Sequence, residues 1–150
     1  MNKFEAVISE LAAATGLCLA VDAQDSCSLI TGETIITMQY RRDHDVVAIF
    51  APLRDGDDAL SLPTMQKALE LGFNGAGTHG CFIGLFNGAL VLSTFVPLEG
   101  MTAQSLGERI LAFADATAVV EDSLEGAGSA GAAAADAPKP PLDSGGFMNV

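Results

Sequence analysis

The sequence predicts an α+β domain in which three helices accompany a twisted antiparallel sheet, in the order α-β-β-β-β-α-β-β-α. Apolar residues recur at helical spacing in three stretches, and six short runs of strand-like composition lie between them. The last two runs flank Asn87-Gly88, a dipeptide that strongly favours a two-residue turn between antiparallel strands. At 150 residues the chain suits a single domain with a sizeable core.

The first helix is predicted over residues 3–15. Asn2 followed by Glu5 resembles a capping box, in which each side chain bonds the backbone N–H of the other residue. Gly16 is a suitable residue to end the helix. An apolar stripe at i, i+3, i+4, i+7 and i+8 comprises Phe4, Val7, Ile8, Leu11 and Ala12.

Four strands are expected next, at residues 17–22, 28–31, 33–40 and 46–53. Turn-forming or charged residues separate them. The fourth strand is continuously apolar, and its Pro52 belongs at a strand end or a sheet edge.

The second helix begins near Ser61 and Pro63, because proline is favoured in the first turn of a helix, and it ends at Asn74-Gly75. The hairpin follows, with strands at 81–86 and 89–96. Alternation along these strands leaves apolar residues on both faces, although an antiparallel hairpin in a solvated sheet normally has one polar face.

The third helix is predicted over about 103–123, since apolar residues from Leu106 to Leu124 recur at steps of four and three. From Gly126 onward, Gly, Ala, Pro and Ser dominate. Such a segment buries too little apolar surface to offset its ordering entropy. We therefore expect a folded domain at 1–125 and a flexible tail at 126–150.

The charge of the chain argues against nucleic acid as a partner. Seven basic and 19 acidic residues give a net charge of −12, which repels phosphate backbones. No apolar run is long enough to insert into a membrane, and Glu5 and Glu10 interrupt any signal-peptide core, so a cytoplasmic location is expected.

No motif in the chain predicts a catalytic centre, a metal site or a cofactor. Gly75, Gly77 and Gly80 match G-x-G-x-x-G, but the required order of strand, loop and helix is reversed. The acidic loop around residues 55–58 lacks the spacing of a calcium loop. His44 and His79 have no metal-binding partner at helical spacing, and the three cysteines, Cys18, Cys27 and Cys81, form no C-x-x-C pair.

The apolar character of both faces of the fourth strand and the hairpin allows two explanations. Three helices could cover both faces of the sheet within one chain. Alternatively, the folded chain leaves apolar surface exposed for partners, as large exposed patches usually indicate. A small ligand-binding or enzymatic α+β domain with an internal pocket is the competing functional hypothesis, although the apolar stretches contain few polar residues to line such a pocket.

The whole pattern over residues 2–124 resembles the class I chaperones of bacterial type III secretion, the CesT/Tir chaperone family. The resemblance is carried by the first helix with its Gly16 stop, the strands around Gly32, Leu62-Pro63 in the second helix, and the apolar stripe of the last helix. The hairpin CFIGLFNGALVLSTFVPLEGMTAQSL carries it as well. The tail is longer than usual for the family, and the chain has no Trp.

The resemblance implies a non-catalytic homodimer that holds an extended N-terminal segment of a secreted effector. The partners are then a second copy and a type III effector, with the ATPase of the secretion system as a further candidate partner. Candidate contacts with this client are Leu17, Leu19, Val21, Leu29, Ile36 and Met38. Candidate dimer contacts are Met65, Leu69, Phe73, Phe82 and Phe86. Alternation alone does not tell which face of each strand is core and which is client surface.

Overall fold

The protein is described by a computed structural model that covers residues 1–54 and 61–133. The helices are α1 (Lys3–Thr15), α2 (Leu62–Gly72) and α3 (Ala103–Ala133). The strands are β1 (Ser26–Thr31), β2 (Thr34–Arg41), β3 (Val46–Arg54), β4 (Phe82–Phe86) and β5 (Ala89–Pro97). All neighbouring strands are antiparallel and form one sheet in the order β1-β2-β3-β5-β4. The predicted α+β fold is confirmed.

The prediction of a strand at residues 17–22 is wrong, so three strands rather than four precede α2. The segment leaves the end of α1 and folds back toward β1, but it does not continue the sheet. Only its last residue bonds β1 through the backbone, from the Asp22 N–H to the Ser26 carbonyl. The Ala20 N–H instead bonds the side chain of Cys27, and Leu19 and Val21 pack against the core.

Local sequence signals set the ends of α1 and the turn of the hairpin as predicted. Asn2 Oδ1 accepts the Glu5 N–H at 2.8 Å, and Glu5 Oε2 accepts the Asn2 N–H at 3.0 Å. Asn87 and Gly88 have φ angles of 49° and 76°, the positive values that a type I′ turn requires at both central residues. The β4–β5 register follows from this turn, with Phe86 opposite Ala89.

The core lies between one face of the sheet and the helices. We call this face the inner face. On this face Leu92 pairs with Ile83, and Ile49 pairs with Thr94. Both Leu92 and Ile49 are fully buried. The inner-face residues form one cluster with Phe4 and Ile8 of α1 and with the apolar stripe of α3. Because side chains alternate along a strand, their sequence neighbours point to the opposite, outer face.

Helix α3 extends beyond its predicted end at 123 and reaches Ala133. Alanine is the strongest helix former, and alanines are frequent in this part of the chain, so they outweigh the glycines between them. The predicted flexible tail therefore begins inside this helix. Residues 134–150, which make up the rest of that tail, lie outside the described residues.

Candidate binding surfaces

The outer face of the sheet is largely apolar over β3, β4 and β5, and none of the described helices packs on it. Phe50, Phe86, Val91 and Phe95 line a concavity of about 540 Å³ there, with Pro52 at its rim. Phe86 is 69% exposed and Phe95 is 51% exposed. Monomeric proteins rarely leave contiguous apolar areas of this kind open to water. Of the two explanations that the sequence left open, the structure supports the one in which apolar surface stays exposed.

The predicted dimer residues mostly meet in one groove between α2 and β4. Met65, Leu69 and Phe73 come from α2 and the turn after it, and Phe82 comes from β4. Together with neighbouring apolar side chains they line a groove of about 350 Å³. Leu69 is 76% exposed and Phe73 is 73% exposed, so neither belongs to the core. The fifth predicted residue, Phe86, lies in the outer-face concavity instead.

The predicted client residues divide into exposed and buried groups. Leu17 is 49% exposed, whereas Leu19, Val21 and Leu29 are partly buried beside α1 and β1. We call these four residues the α1-side surface.

The other two predicted client residues, Ile36 and Met38, have no exposed surface. They point to the inner face of β2, where the helices cover them, so they are core residues in this structure.

Several exposed apolar residues were missed at the sequence level. Ile30 and Ile35 lie opposite each other near the β1–β2 turn, and both are at least half exposed. Phe95 and Phe50 belong to the outer face. The alternation of apolar residues along β3 and β5 was the available signal, but it does not tell which face the helices cover.

Within residues 1–54 and 61–133, both edges of the sheet are open along most of their length. Strand order places β1 at one edge and β4 at the other. Along the edge of β1 that faces away from β2, the Ser26 carbonyl accepts the Asp22 N–H. No other backbone group on this edge has a backbone partner within the part of the chain that the structure describes. Exposed strand edges are places where an extended peptide can add a strand.

A polar cluster fixes one end of the α1-side surface. Arg42 donates two hydrogen bonds to Asp25, from Nε to Oδ2 at 2.6 Å and from Nη2 to Oδ1 at 2.9 Å. Asn2 Nδ2 donates to Asp25 Oδ1 at 3.2 Å. The hydrogen bonds from Arg42 hold the pKa of Asp25 below its usual value, and they raise the pKa of Arg42. The cluster joins the start of α1, the turn before β1 and the turn after β2.

The histidines and cysteines do not form a catalytic arrangement. His44 contacts Asp43 at 3.2 Å, but both side chains are well exposed on the β2–β3 turn. His79 lines a surface cavity of about 340 Å³ beside α3, together with Arg109, Asp115 and Cys81.

Burial raises the pKa values of the Cys81 and Cys27 thiols, which keeps them protonated and poorly nucleophilic. No group of residues suited to a metal ion occurs within 1–54 and 61–133. The acidic loop around 55–58 lies outside the described residues.

The glycine-rich linker before β4 has a structural role. The Gly77 N–H donates to the Leu71 carbonyl at 3.1 Å, which folds the linker back onto the end of α2. A Cβ at Gly77 would lie 2.7 Å from Leu71 Cδ2 and 2.9 Å from Leu71 Cα. Glycine is therefore required here for close packing of two backbone segments.

A family model for Tir chaperone proteins (CesT) matches residues 6–119, which span every described element from α1 to most of α3. The chain belongs to the CesT family. It is therefore a class I chaperone of type III secretion. The members of this family are non-catalytic chaperones. No protein with a curated description matches this CesT-family sequence.

Solved structures with the same fold include chaperone complexes. A chain of the HopA1–SchA chaperone–effector complex superposes with a TM-score of 0.68 at 14% identity, over 80% of this chain and 94% of that chain. A chain of the ExsC–ExsE complex gives 0.65 at 18% identity, over 77% and 88%. The Yersinia pestis type III secretion chaperone SycH, solved with a fragment of YscM2, gives 0.59 at 9% identity, over 78% and 98%. At these identities the likeness shows the fold.

Among the described residues of this CesT-family chain, none of the helices has the length and apolar composition needed to cross a bilayer.

Proposed function

We propose that this CesT-family protein acts in the bacterial cytoplasm as a homodimeric chaperone. It holds an extended N-terminal segment of a type III secretion effector and keeps it competent for secretion. The observation that carries the proposal is the amount of apolar surface that one folded chain leaves open: the outer-face concavity, the α2–β4 groove and the α1-side surface. These areas lie on different elements and suit two kinds of partner.

A second copy is the partner proposed for the α2–β4 groove. Leu69 and Phe73 protrude from one side of the groove and Phe82 from the other, so a twofold axis there would bring like surfaces together. Phe86 and the outer-face concavity extend the same apolar area across the end of the sheet. Dimer contacts of this apolar composition are typical of permanent homodimers.

The effector segment is proposed to bind on the α1-side surface and along the open edge of β1. Leu17, Leu19, Val21 and Leu29 offer apolar contact there. The unpaired backbone of β1 can accept an added strand, whose main-chain hydrogen bonds place few demands on the client sequence. An unfolded client can add a strand here, because its backbone N–H and C=O groups are free to pair with β1. Every second side chain of the client would then face the apolar surface.

The proposal is tested by coexpressing the chain with N-terminal fragments of effectors from the source bacterium and measuring the complexes by light scattering. We expect a complex of two chaperone chains with one effector fragment. The double variant Leu17→Asp/Leu29→Asp should stay dimeric and lose the fragment. Leu111→Asp, which changes a 66% exposed leucine on α3, is the matched control and should still bind. Equal binding by the double variant and the native chain would contradict the proposed client surface.

A further inference from the structure

We propose that Asp25 is a positioning residue for the client surface: held by Arg42 and Asn2, it fixes the end of the segment Leu17–Asp22. The inference rests on the proposed function and deepens it. Three elements that are distant in sequence meet at this one carboxylate. It receives the bidentate Arg42 guanidinium and the Asn2 amide, and its side chain is only 15% exposed. Paired hydrogen bonds between an arginine and a carboxylate fix orientation as well as distance.

The segment Leu17–Asp22 is not part of the sheet: Leu19 and Val21 pack against the core and the Ala20 N–H bonds the Cys27 side chain, but no strand pairing holds its backbone. It begins after Gly16, which ends α1 with φ of 74°, and it has no ladder of hydrogen bonds to β1. Within the segment, the Leu19 N–H donates to the Leu17 carbonyl at 3.1 Å. The position of the exposed Leu17 and of the backbone around it therefore depends on these few contacts and on how firmly the two ends of the segment are held.

The turn at the far end is well organised, and Asp25 connects it to the rest of the molecule. Asp22 Oδ1 accepts the N–H groups of Gln24 and Ser26 at 2.8 and 2.9 Å, which makes the turn a compact unit. The Asp25 carbonyl accepts the Tyr40 N–H at 2.9 Å. The side chain of Asp25 then ties the whole turn to α1 through Asn2 and to the β2–β3 connection through Arg42.

The same cluster also contacts the start of α1. Asn2 caps α1 with its Oδ1 and donates to Asp25 with its Nδ2, so one amide group serves both contacts. Next to it, the rings of Phe4 and Tyr40 stack with centroids 5.9 Å apart. Releasing Asp25 would leave the hydrophobic contacts of α1 in place but loosen the segment, and a client would then have to order it on binding.

The structure provides a probe and clean substitutions for a test. Cys18 is exposed and lies within the segment, whereas Cys27 and Cys81 are buried, so a nitroxide reagent labels Cys18 selectively in the folded protein. Asp25 has φ of 56°, which asparagine also tolerates, so D25N removes the charge without straining the backbone. R42K keeps the charge of the arginine but loses its two-pronged geometry. R41Q is the matched control, because Arg41, the last residue of β2, contacts Asp43 at 3.8 Å in an exposed pair.

The experiment measures the mobility of the Cys18 label by electron paramagnetic resonance and the dissociation rate of a bound effector fragment from unlabelled protein. We expect D25N to raise label mobility and to speed dissociation by about three- to tenfold, with R42K between D25N and the native chain and R41Q unchanged. Unchanged mobility in D25N, or unchanged dissociation despite higher mobility, would overturn the inference. If the native chain binds no effector fragment, the proposed function fails instead, and label mobility still decides whether Asp25 fixes the segment.

Discussion

The rings of Phe82 and Phe95 lie on the outer face of the sheet with their centroids 6.2 Å apart, and both are more than half exposed. Phe82 is in register with Ser93, so Phe95 is its diagonal neighbour across β4 and β5. Aromatic pairs stabilise a protein mainly when water is excluded from them. The pair therefore leaves aromatic surface open to water, which the proposed second copy would cover.

Leu69→Asp should convert the dimer to a folded monomer. Leu69 contributes nothing to the core of one chain, so the fold itself should change in stability by less than about 0.5 kcal/mol. Burying a leucine is worth roughly 2 kcal/mol, and in an isologous dimer the loss is felt twice, about 4 kcal/mol in total. Sedimentation equilibrium measures the dissociation constant. Leu62→Asp is the control, because Leu62 is 70% exposed at the start of the same helix but lies outside the groove.

Met38→Ala and Leu29→Ala should separate stability from client binding. Met38 is fully buried, so its truncation should cost about 2–5 kcal/mol of unfolding free energy. Leu29 is only partly buried, and its truncation should cost about 1 kcal/mol while weakening effector binding. Urea titration and a binding assay check the two effects. The opposite pattern, with Met38→Ala stable and Leu29→Ala unfolded, would contradict the assignment of Met38 to the core and of Leu29 to the client surface.

Acid should weaken the native chain partly through Asp25. The pKa of this carboxyl is lowered in the folded protein, mainly by the hydrogen bonds from Arg42. The contribution of Asp25 to the free energy of unfolding is therefore fully present at a pH well above its ordinary pKa of 3.8. This contribution is lost as the pH falls through the lower pKa that Asp25 has in the folded protein. In thermal melts between pH 7 and pH 2, the melting temperature of D25N should fall less below about pH 4 than the melting temperature of the native chain. Parallel curves for the two proteins would argue against the contribution.

Gly77→Ala should destabilise the chain by about 1–3 kcal/mol, because the new methyl group would meet the backbone of Leu71. Gly107→Ala is the matched control within α3. Its Cβ would contact Leu11 Cδ1 at an ordinary 3.5 Å, so the gain in helix propensity should raise stability by about 0.5–1 kcal/mol. Chemical denaturation of both variants measures the difference. Equal stability of the two would indicate that the linker moves away from α2.

Elements with strong local signals were predictable from the sequence. The Asn2–Glu5 capping box and the Asn87-Gly88 turn are determined by residues within a few positions of each other, so the ends of α1 and the hairpin register followed directly. Residues 17–22 show the limit of such patterns. Their short continuous apolar run is typical of a strand, but tertiary contacts decide the outcome, because the Ala20 N–H bonds the Cys27 side chain instead of a neighbouring strand.

How deeply each strand residue is buried could not be predicted from the sequence. Ile36 and Leu29 pair across β1 and β2, yet Ile36 is fully buried and Leu29 is not. This difference depends on where the helices lie over the sheet. Similarly, the contact of Asp25 with Arg42 joins residues 17 positions apart in a turn and a strand end, and neither residue belongs to a motif. The predicted dimer residues were easier to group, because Met65 and Leu69 recur at helical spacing in α2 and Phe73 follows them at the same spacing.

Light scattering of the native chain over a wide concentration range tests the central claim most directly. We propose that a second copy covers the apolar groove and the outer face, so we predict a molar mass of twice the 15.4 kDa of one chain at every concentration that the method reaches. A mass of one chain that does not change with concentration would contradict the account.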